Sequence, residues 1–348
     1  MKNLKRFLTL IITLITCFNF VFLASSCKES FFTAEFICFS SPAYIQLDKN
    51  LTDKQFKEIT DYTSYLESDL STDIIGSSTY KFNQTNNVNN EYSTDFKALL
   101  TLCKDYYDIT EKRFNVAVYP LSKLWKFTAD TYKASDFSPP SKQEIDAVLP
   151  FTDFSQIDTK NFTKSLENIK VDLGGIAKGY ALDKISTMLK EANANSGYVS
   201  IGSSSLYLVS TNGLSIVHPR NTNSSIVTIN KKLTDTFVST SGDYQRFYQY
   251  NNEIYSHVLD SKTGYPANTG IVSATIIGNG GAKTDAISTA LCLMTKNEII
   301  EEFSQTYAGY QLFAVYINPE NSNDKSIITN INKKDFILHD ETFNVIYI

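Results

Sequence analysis

The 348-residue sequence predicts an α+β fold, and three observations carry that prediction. Thr52 to Leu70 places Phe56, Ile59, Tyr62, Tyr65, Leu66 and Leu70 on or near one helical face. From Gly197 to Ile277 short apolar runs recur between turn residues, which reads as strand after strand. Between these regions lies Asp172-Leu173-Gly174-Gly175-Ile176-Ala177-Lys178-Gly179-Tyr180-Ala181-Leu182-Asp183, which reads as a strand end, a two-glycine turn and a helix start. Helices and strands mixed in this way point to mixed sheets with helices packed on them.

Taken in order, the chain opens on a targeting segment. Lys2, Lys5 and Arg6 precede an almost wholly apolar run from Phe7 to Leu23, and Leu23-Ala24-Ser25-Ser26-Cys27 follows. Small residues ending in a cysteine resemble a bacterial lipobox. This predicts that residues 1–26 are a lipoprotein signal peptide and that Cys27 is the lipidated N-terminus, palmitate included. An ordinary cleaved signal and an uncleaved anchor are the alternatives. Residues 27–348 would then form one extracytoplasmic domain, anchored to the bacterial cell membrane by lipid rather than spanning it.

Phe36 to Leu47 reads as a first strand, interrupted at Ser40-Ser41-Pro42. After the helix over Thr52 to Leu70, Ser71 to Asn90 is polar and turn-rich and reads as a loop over a surface or cleft. Glu91 to Tyr107 resumes as helix. Asn115-Val116-Ala117-Val118-Tyr119-Pro120-Leu121 then leads to the only tryptophan, Trp125. Ala129 to Pro150 is a loop followed by a short helix, which Ser141 and Glu144 open as a capping box. Asp153 to Val171 reads as short strands, with Ile169, Val171 and Leu173 as apolar positions before the glycine turn. The helix after the turn runs to about Ala194. Strands follow over Tyr198 to Ile201, Ser205 to Ser210, Leu214 to Val217, Ile226 to Ile229, Thr236 to Thr240, Tyr244 to Tyr250, Glu253 to Val258 and Val272 to Ile277. Thr284 to Met294 and Asn297 to Gln305 are helices, and the tail from Phe313 alternates as strands. No internal repeat is visible.

Composition narrows the function. A formal net charge of -5 and the lack of a basic block after the signal argue against nucleic acid as a partner. His218, His257 and His339 are scattered, as are Cys38, Cys103 and Cys292, so neither a zinc site nor a disulfide framework is spelled out.

Three stretches could carry chemistry. At Asp172 to Asp183, the glycines let the backbone come close to a ligand, and helix amides beside Lys178 suit a phosphate. Plain connection chemistry explains a Gly-Gly turn equally, and neither a P-loop nor a G-x-G-x-x-G spacing is present. In Lys283 to Met294, helical spacing puts Asp285, Ser288, Thr289 and Cys292 on one face. Asp285 and Thr289 are hard oxygen ligands of the kind Mg²⁺ uses beside water and phosphate. The structural alternative is Thr284 as an N-cap with Asp285 as a first-turn acid. In Tyr255 to Pro266, His257 precedes a tight turn, as a general base or as a satisfied structural histidine. Trp125 and Phe127 could stack on a flat ring or simply fill core.

Read together, these stretches resemble the FAD:protein FMN transferases, the ApbE-like flavin transferase lipoproteins. The resemblance runs in order through Tyr80-Lys81-Phe82-Asn83-Gln84, Phe114 to Phe127, Asp172 to Tyr180, Ser256-His257-Val258-Leu259-Asp260 with Lys262 to Pro266, and Thr284-Asp285-Ala286 with Ser288-Thr289-Ala290. It implies an ApbE-like, T-fold-like domain with an FAD cleft between two lobes. It also implies Mg²⁺-dependent splitting of FAD, with FMN passed through its phosphate to a Thr or Ser hydroxyl of an acceptor protein, a membrane-associated redox protein by preference, and AMP released. By position, Asp172, Lys178, Trp125, Lys126 and Phe127 would contact FAD. The Gly175 carbonyl, Asp285 and Thr289 would hold Mg²⁺, and Asp285, with His257 second, would take the acceptor proton. The same resemblance makes a bulky or β-branched residue at Gly174 worse for activity than loss of Trp125. FAD hydrolysis to FMN and AMP and non-catalytic FAD binding are the competing outcomes. Departures from the family pattern cluster away from the phosphates: Asp73, Asn115, Tyr119, Lys126 and Gly202-Ser203-Ser204.

Overall fold

A computed structural model describes residues 31–86, 91–128, 131–132 and 137–348. The proposed signal peptide and Cys27 lie outside the described residues. The strands are β1 Phe32–Cys38, β2 Ser41–Leu47, β3 Ile157–Asp158, β4 Thr163–Lys164, β5 Gly197–Ile201, β6 Ser205–Thr211, β7 Leu214–His218, β8 Asn221–Ile229, β9 Leu233–Gly242, β10 Phe247–Tyr250, β11 Glu253–Ser256, β12 Ile271–Gly278, β13 Gln311–Ile317, β14 Lys325–Thr329, β15 Phe336–Leu338 and β16 Asn344–Tyr347. The helices are α1 Asp53–Asp69, α2 Ser78–Gln84, α3 Thr94–Ile109, α4 Tyr119–Leu124, α5 Lys142–Val148, α6 Ala177–Glu191, α7 Gly281–Leu291 and α8 Lys296–Thr306.

A nine-stranded sheet in the order β1-β2-β5-β6-β9-β12-β13-β14-β16 organises the chain. Its pairings are antiparallel except β14 with β16. Side chains that alternate along each strand send their two sets to opposite faces. Thus Leu312 and Ala314 of β13 pack with α7 and α8, while Phe313 and Val315 face a smaller sheet, β15-β8-β7. On the helix side of the other half, Val199, Ile201, Tyr207 and Val209 meet α1, α3 and α6. The mixed-sheet α+β expectation holds.

The sheet also shows a repeat of order that the sequence hides. A hairpin (β1-β2), helices and a second hairpin (β5-β6) fill one half. Paired β9 and β12, helices and the antiparallel pair β13-β14 fill the other. The halves join where β6 pairs with β9.

Two expectations fail locally. Ser71 to Asn90 is not wholly loop: Ser77 caps α2, and Phe82 and Asn83 are buried on it. A helix of about two turns is too short to show in periodicity. The strand expected before the glycine turn does not pair with another strand. Its extended backbone is held instead by the Asn83 amide, which donates to the Val171 carbonyl at 2.8 Å and accepts from the Val171 amide at 2.7 Å. Asp172 donates to the Val116 carbonyl at 2.8 Å. Val171 and Leu173 are fully buried, so the apolar pattern was real and the partner was a side chain.

Candidate functional site

The site is built where α6 and α7 meet at their N-terminal ends. Neither helix carries a side-chain cap of its own: Ile176 precedes α6, and Gly280, at φ 83°, precedes α7. Each takes its cap from the other. Asp183 of α6 accepts from the Gly281 amide at 2.6 Å and the Ala282 amide at 2.9 Å. Asp285 of α7 accepts from the Gly179 amide at 2.6 Å. The orphan amides of a helix start are satisfied in this way across the pair, and each carboxylate sits at a positive helix end.

Glycine makes the approach possible. A Cβ at Gly179 would lie 2.1 Å from the Gly281 carbonyl oxygen, and one at Gly281 would lie 2.2 Å from that of Gly179. Backbone touches backbone, so no side chain fits. The two segments share one pattern, Gly179-x-x-x-Asp183 and Gly281-x-x-x-Asp285, with the glycine approached and the aspartate reaching across.

Asp285 is 7% exposed, and its second oxygen accepts from Ser205 Oγ at 3.0 Å. Burial raises its pKa, while the nearby Lys178 charge opposes that rise. Lys178 donates to Ser204 Oγ at 2.8 Å, in the turn that joins β5 to β6. Burial lowers the Lys178 pKa. The Gly202-Ser203-Ser204 departure therefore has a use, since Ser204 orients Lys178. One turn beyond Asp285, Thr289 Oγ1 lies 3.1 Å from Ser241 Oγ of β9 and bonds the Asp285 carbonyl at 3.0 Å.

The structural alternative for this helix is overturned. α7 begins at Gly281, so Thr284 is no N-cap; it is buried, and its hydroxyl donates to the Gly281 carbonyl at 2.9 Å. The helix start was hidden because two glycines and an alanine carry no capping signature.

Among the described residues, no three His, Cys, Asp or Glu side chains group as a metal-binding set. Asp285, Thr289 and the neighbouring Ser241 offer one carboxylate and two hydroxyls. That donor set fits a hard cation such as Mg²⁺, which completes its shell with water and phosphate oxygens. Gly175 is exposed on the turn before α6, and a Cβ there would meet only Phe114 at 3.8 Å. Asp172 is half-buried, and its carboxylate accepts from the Gly174 amide at 2.8 Å, which shapes the turn.

The aromatic residues sit apart from this polar junction. Trp125 is 0% exposed, and its Nε1 donates to the Gly264 carbonyl at 2.8 Å. Its ring stacks on Phe137 and Tyr255 at centroid separations of 6.3 and 5.7 Å. Trp125 therefore fills the core of a small lobe with Leu121, Ile145, Tyr248 and Leu259, and offers no open face to a flavin. Phe127 is also buried there, and its ring meets His257 edge-on at 6.4 Å. Lys126 between them adopts φ 59°, the left-handed region where glycine is at ease. Asn115 bridges the lobe: its amide donates to the Thr152 carbonyl and Ser261 Oγ, and its oxygen accepts from the Ala117 amide. An aspartate there could not donate to the Thr152 carbonyl.

His257 links the two regions. Its Nδ1 lies 3.1 Å from the Arg246 carbonyl oxygen, which can only accept. Nδ1 thus carries the proton, and Nε2 is left as the acceptor. Burial and the positive charges of Arg246 and Lys178 hold the ring neutral, well below the ordinary histidine range. Sequence reasoning missed Arg246, Ser204, Ser205 and Asp183. Only Asp183 had a readable signal, as the second half of a repeated Gly-x-x-x-Asp pattern.

Comparison with known proteins places the chain in a family. The sequence pattern of the ApbE family matches residues 38–313. The FAD:protein FMN transferase of Haemophilus influenzae is 27% identical over 265 residues, which cover 72% of this chain and 75% of that protein. The protein of that name from Vibrio cholerae is 28% identical over 193 residues, covering 53% of this chain and 57% of its own. Among solved structures, the ApbE protein of Thermotoga maritima superposes with a TM-score of 0.71 at 25% identity, covering 82% of this chain and 94% of that one. The flavin transferase ApbE of Vibrio cholerae superposes with a TM-score of 0.74 at 20% identity, covering 88% and 99%; that likeness is one of fold.

Proposed function

Because this chain belongs to the ApbE family, we propose that it is a Mg²⁺-dependent FAD:protein FMN transferase. It would pass FMN from FAD to a Thr or Ser hydroxyl of an acceptor protein through a phosphoester bond and release AMP. The observation that carries the reading is the polar junction of α6 and α7. There Lys178, Asp285 and Thr289 come together inside the matched region.

Asp285 and Thr289, with the Gly175 carbonyl, would hold Mg²⁺. The ion, when bound, would neutralise charge on the pyrophosphate. Lys178, oriented by Ser204, would bind a phosphate oxygen as a point charge. The acceptor oxygen forms the new bond to the FMN phosphorus, the bond from that phosphorus to the bridging oxygen breaks, and AMP leaves with the bridging oxygen. In such transfers placement and charge neutralisation do most of the work. Both Asp285 oxygens already accept hydrogen bonds, and His257 Nε2 has no hydrogen-bond partner among the described residues, but burial and two nearby positive charges make that ring a weak base. Asp285, whose pKa burial raises, would take the hydroxyl proton, with His257 as the second candidate. The lipobox supports an extracytoplasmic, lipid-anchored location, with a membrane-associated redox protein as acceptor.

Incubation with FAD, Mg²⁺ and a candidate acceptor domain tests the reading, with in-gel flavin fluorescence and AMP as readouts. Covalent fluorescence on the acceptor together with AMP is the expected result. AMP without labelling would reassign the protein as an FAD pyrophosphatase, and bound FAD without AMP would leave it a non-catalytic binder.

A further inference from the structure

The carboxylate that caps α7 belongs to α6 and touches none of the proposed ligands. Asp183 is half-buried, with Gly281 and Ala282 as its amide donors. Those amides open the helix that presents Asp285 one turn later and Thr289 two turns later. No local side chain does the same work, because α7 starts from Gly280 at a positive φ. Asp285 in turn ties back to Gly179. The loop of bonds is closed: Asp183 holds the start of α7, α7 holds Asp285, and Asp285 holds the start of α6, on which Asp183 stands.

We propose that Asp183 is a positioning residue for the reaction: through the first amides of α7 it fixes where Asp285 and Thr289 present their oxygens to the cation. Its bond to two backbone amides sets the axial position of α7, and the glycine contact leaves no slack in the approach. Metal sites depend on such outer partners, whose loss weakens metal binding or activity by about 10–100-fold. The two carboxylates also feel one another, since the Asp285 charge, after burial, helps raise the Asp183 pKa. A cation beside Asp285 would therefore favour the charged, capping form of Asp183 as well.

The inference rests on the proposed function only for its rate readout. The full chain is studied as wild type, Asp183→Asn and Asp183→Ala. Mn²⁺ binding in the presence of FAD is followed by electron paramagnetic resonance, FAD binding without metal by fluorescence, and AMP release, with the acceptor domain present, against Mg²⁺ concentration. The Asn variant keeps one acceptor oxygen, so its effect should fall between the others. Asp183→Ala should weaken Mn²⁺ binding and raise the Mg²⁺ requirement by about tenfold or more, with metal-free FAD affinity within about twofold of wild type. Unchanged Mn²⁺ binding in a folded Asp183→Ala overturns the inference. If that variant does not fold, unchanged Mn²⁺ binding in Asp183→Asn overturns it. A wild type that binds Mn²⁺ yet releases no AMP would defeat the proposed function and leave the positioning role to the binding data.

Discussion

The junction of α6 and α7 and the Trp125 lobe are both small, and both were expected to touch FAD, but they are built on opposite principles. At the junction, position is set by single atoms: two glycines in backbone contact, two aspartates, and three serines around them. In the lobe, position is set by area, with Trp125, Phe127, Phe137, Tyr248 and Tyr255 sharing ring contacts. A hydrogen-bonded site fails when one atom is moved, while a packed aromatic cluster yields in proportion to the surface removed. The junction should therefore control rate, and the lobe stability.

The sharpest test of that division is Asp285→Ala. It should lower AMP release by about 10³-fold, the loss expected when several kcal/mol of charge neutralisation disappear, while the loss of its bonds to the Gly179 amide and Ser205 costs only about 1–2 kcal/mol of stability. Wild-type turnover in that variant would refute the metal assignment. Next in size, Trp125→Ala should cost about 3–5 kcal/mol of stability in a denaturant titration. The companion is Gly174→Ala. Gly174 is exposed, and a Cβ there would meet only Asp172 Oδ1 at 3.0 Å. It should cost under about 1 kcal/mol. If Gly174→Ala proved the more destabilising, the contrast between the two regions would collapse.

The smallest effect is one of pH, at the residue between the regions. His257 has an ordinary value of 6.5 and is held below it in the folded chain by burial and by Arg246 and Lys178. The unfolded chain takes up the proton as pH falls through 6.5, while the folded chain still refuses it. The neutral ring therefore contributes stability fully above that value and loses it toward acid. Thermal melts from pH 8 to pH 4 should show a steeper acid loss in wild type than in His257→Gln. Identical profiles would remove the depressed histidine from the account.

How much was legible follows the same division. The helix α1 was readable from its apolar stripe, and the Thr52–Gln55 capping box closes its start. Asp172 to Asp183 and Asp285 with Thr289 were readable because their chemistry is carried by residue type and spacing. What joins them was not. Gly179 and Gly281 are far apart in sequence, and their contact exists only after the sheet has folded. In the lobe, Trp125 could not be told from a flavin-stacking ring, since an aromatic looks the same in sequence whether its faces are open or covered. Asn83 shows a third limit: no periodicity announces a side-chain amide standing in for a neighbouring strand.

The reciprocal capping has a consequence for how the protein is made. Its two cross-helix bonds, Gly179 to Asp285 and Gly281 to Asp183, close sequence separations of 106 and 98 residues. At translation rates of about 5–20 residues per second, the first helix waits roughly 5–20 s for the second to be synthesised. Contacts of such long range also form late in folding, because loop closure must come first. Until then α6 has bare amides at its start and a carboxylate without its partner. A nascent chain that stops short of Gly281 lacks both Asp285 and Thr289, the side chains of the proposed cation site. The reciprocal caps thereby form only once both halves of the sheet have been made and have found each other.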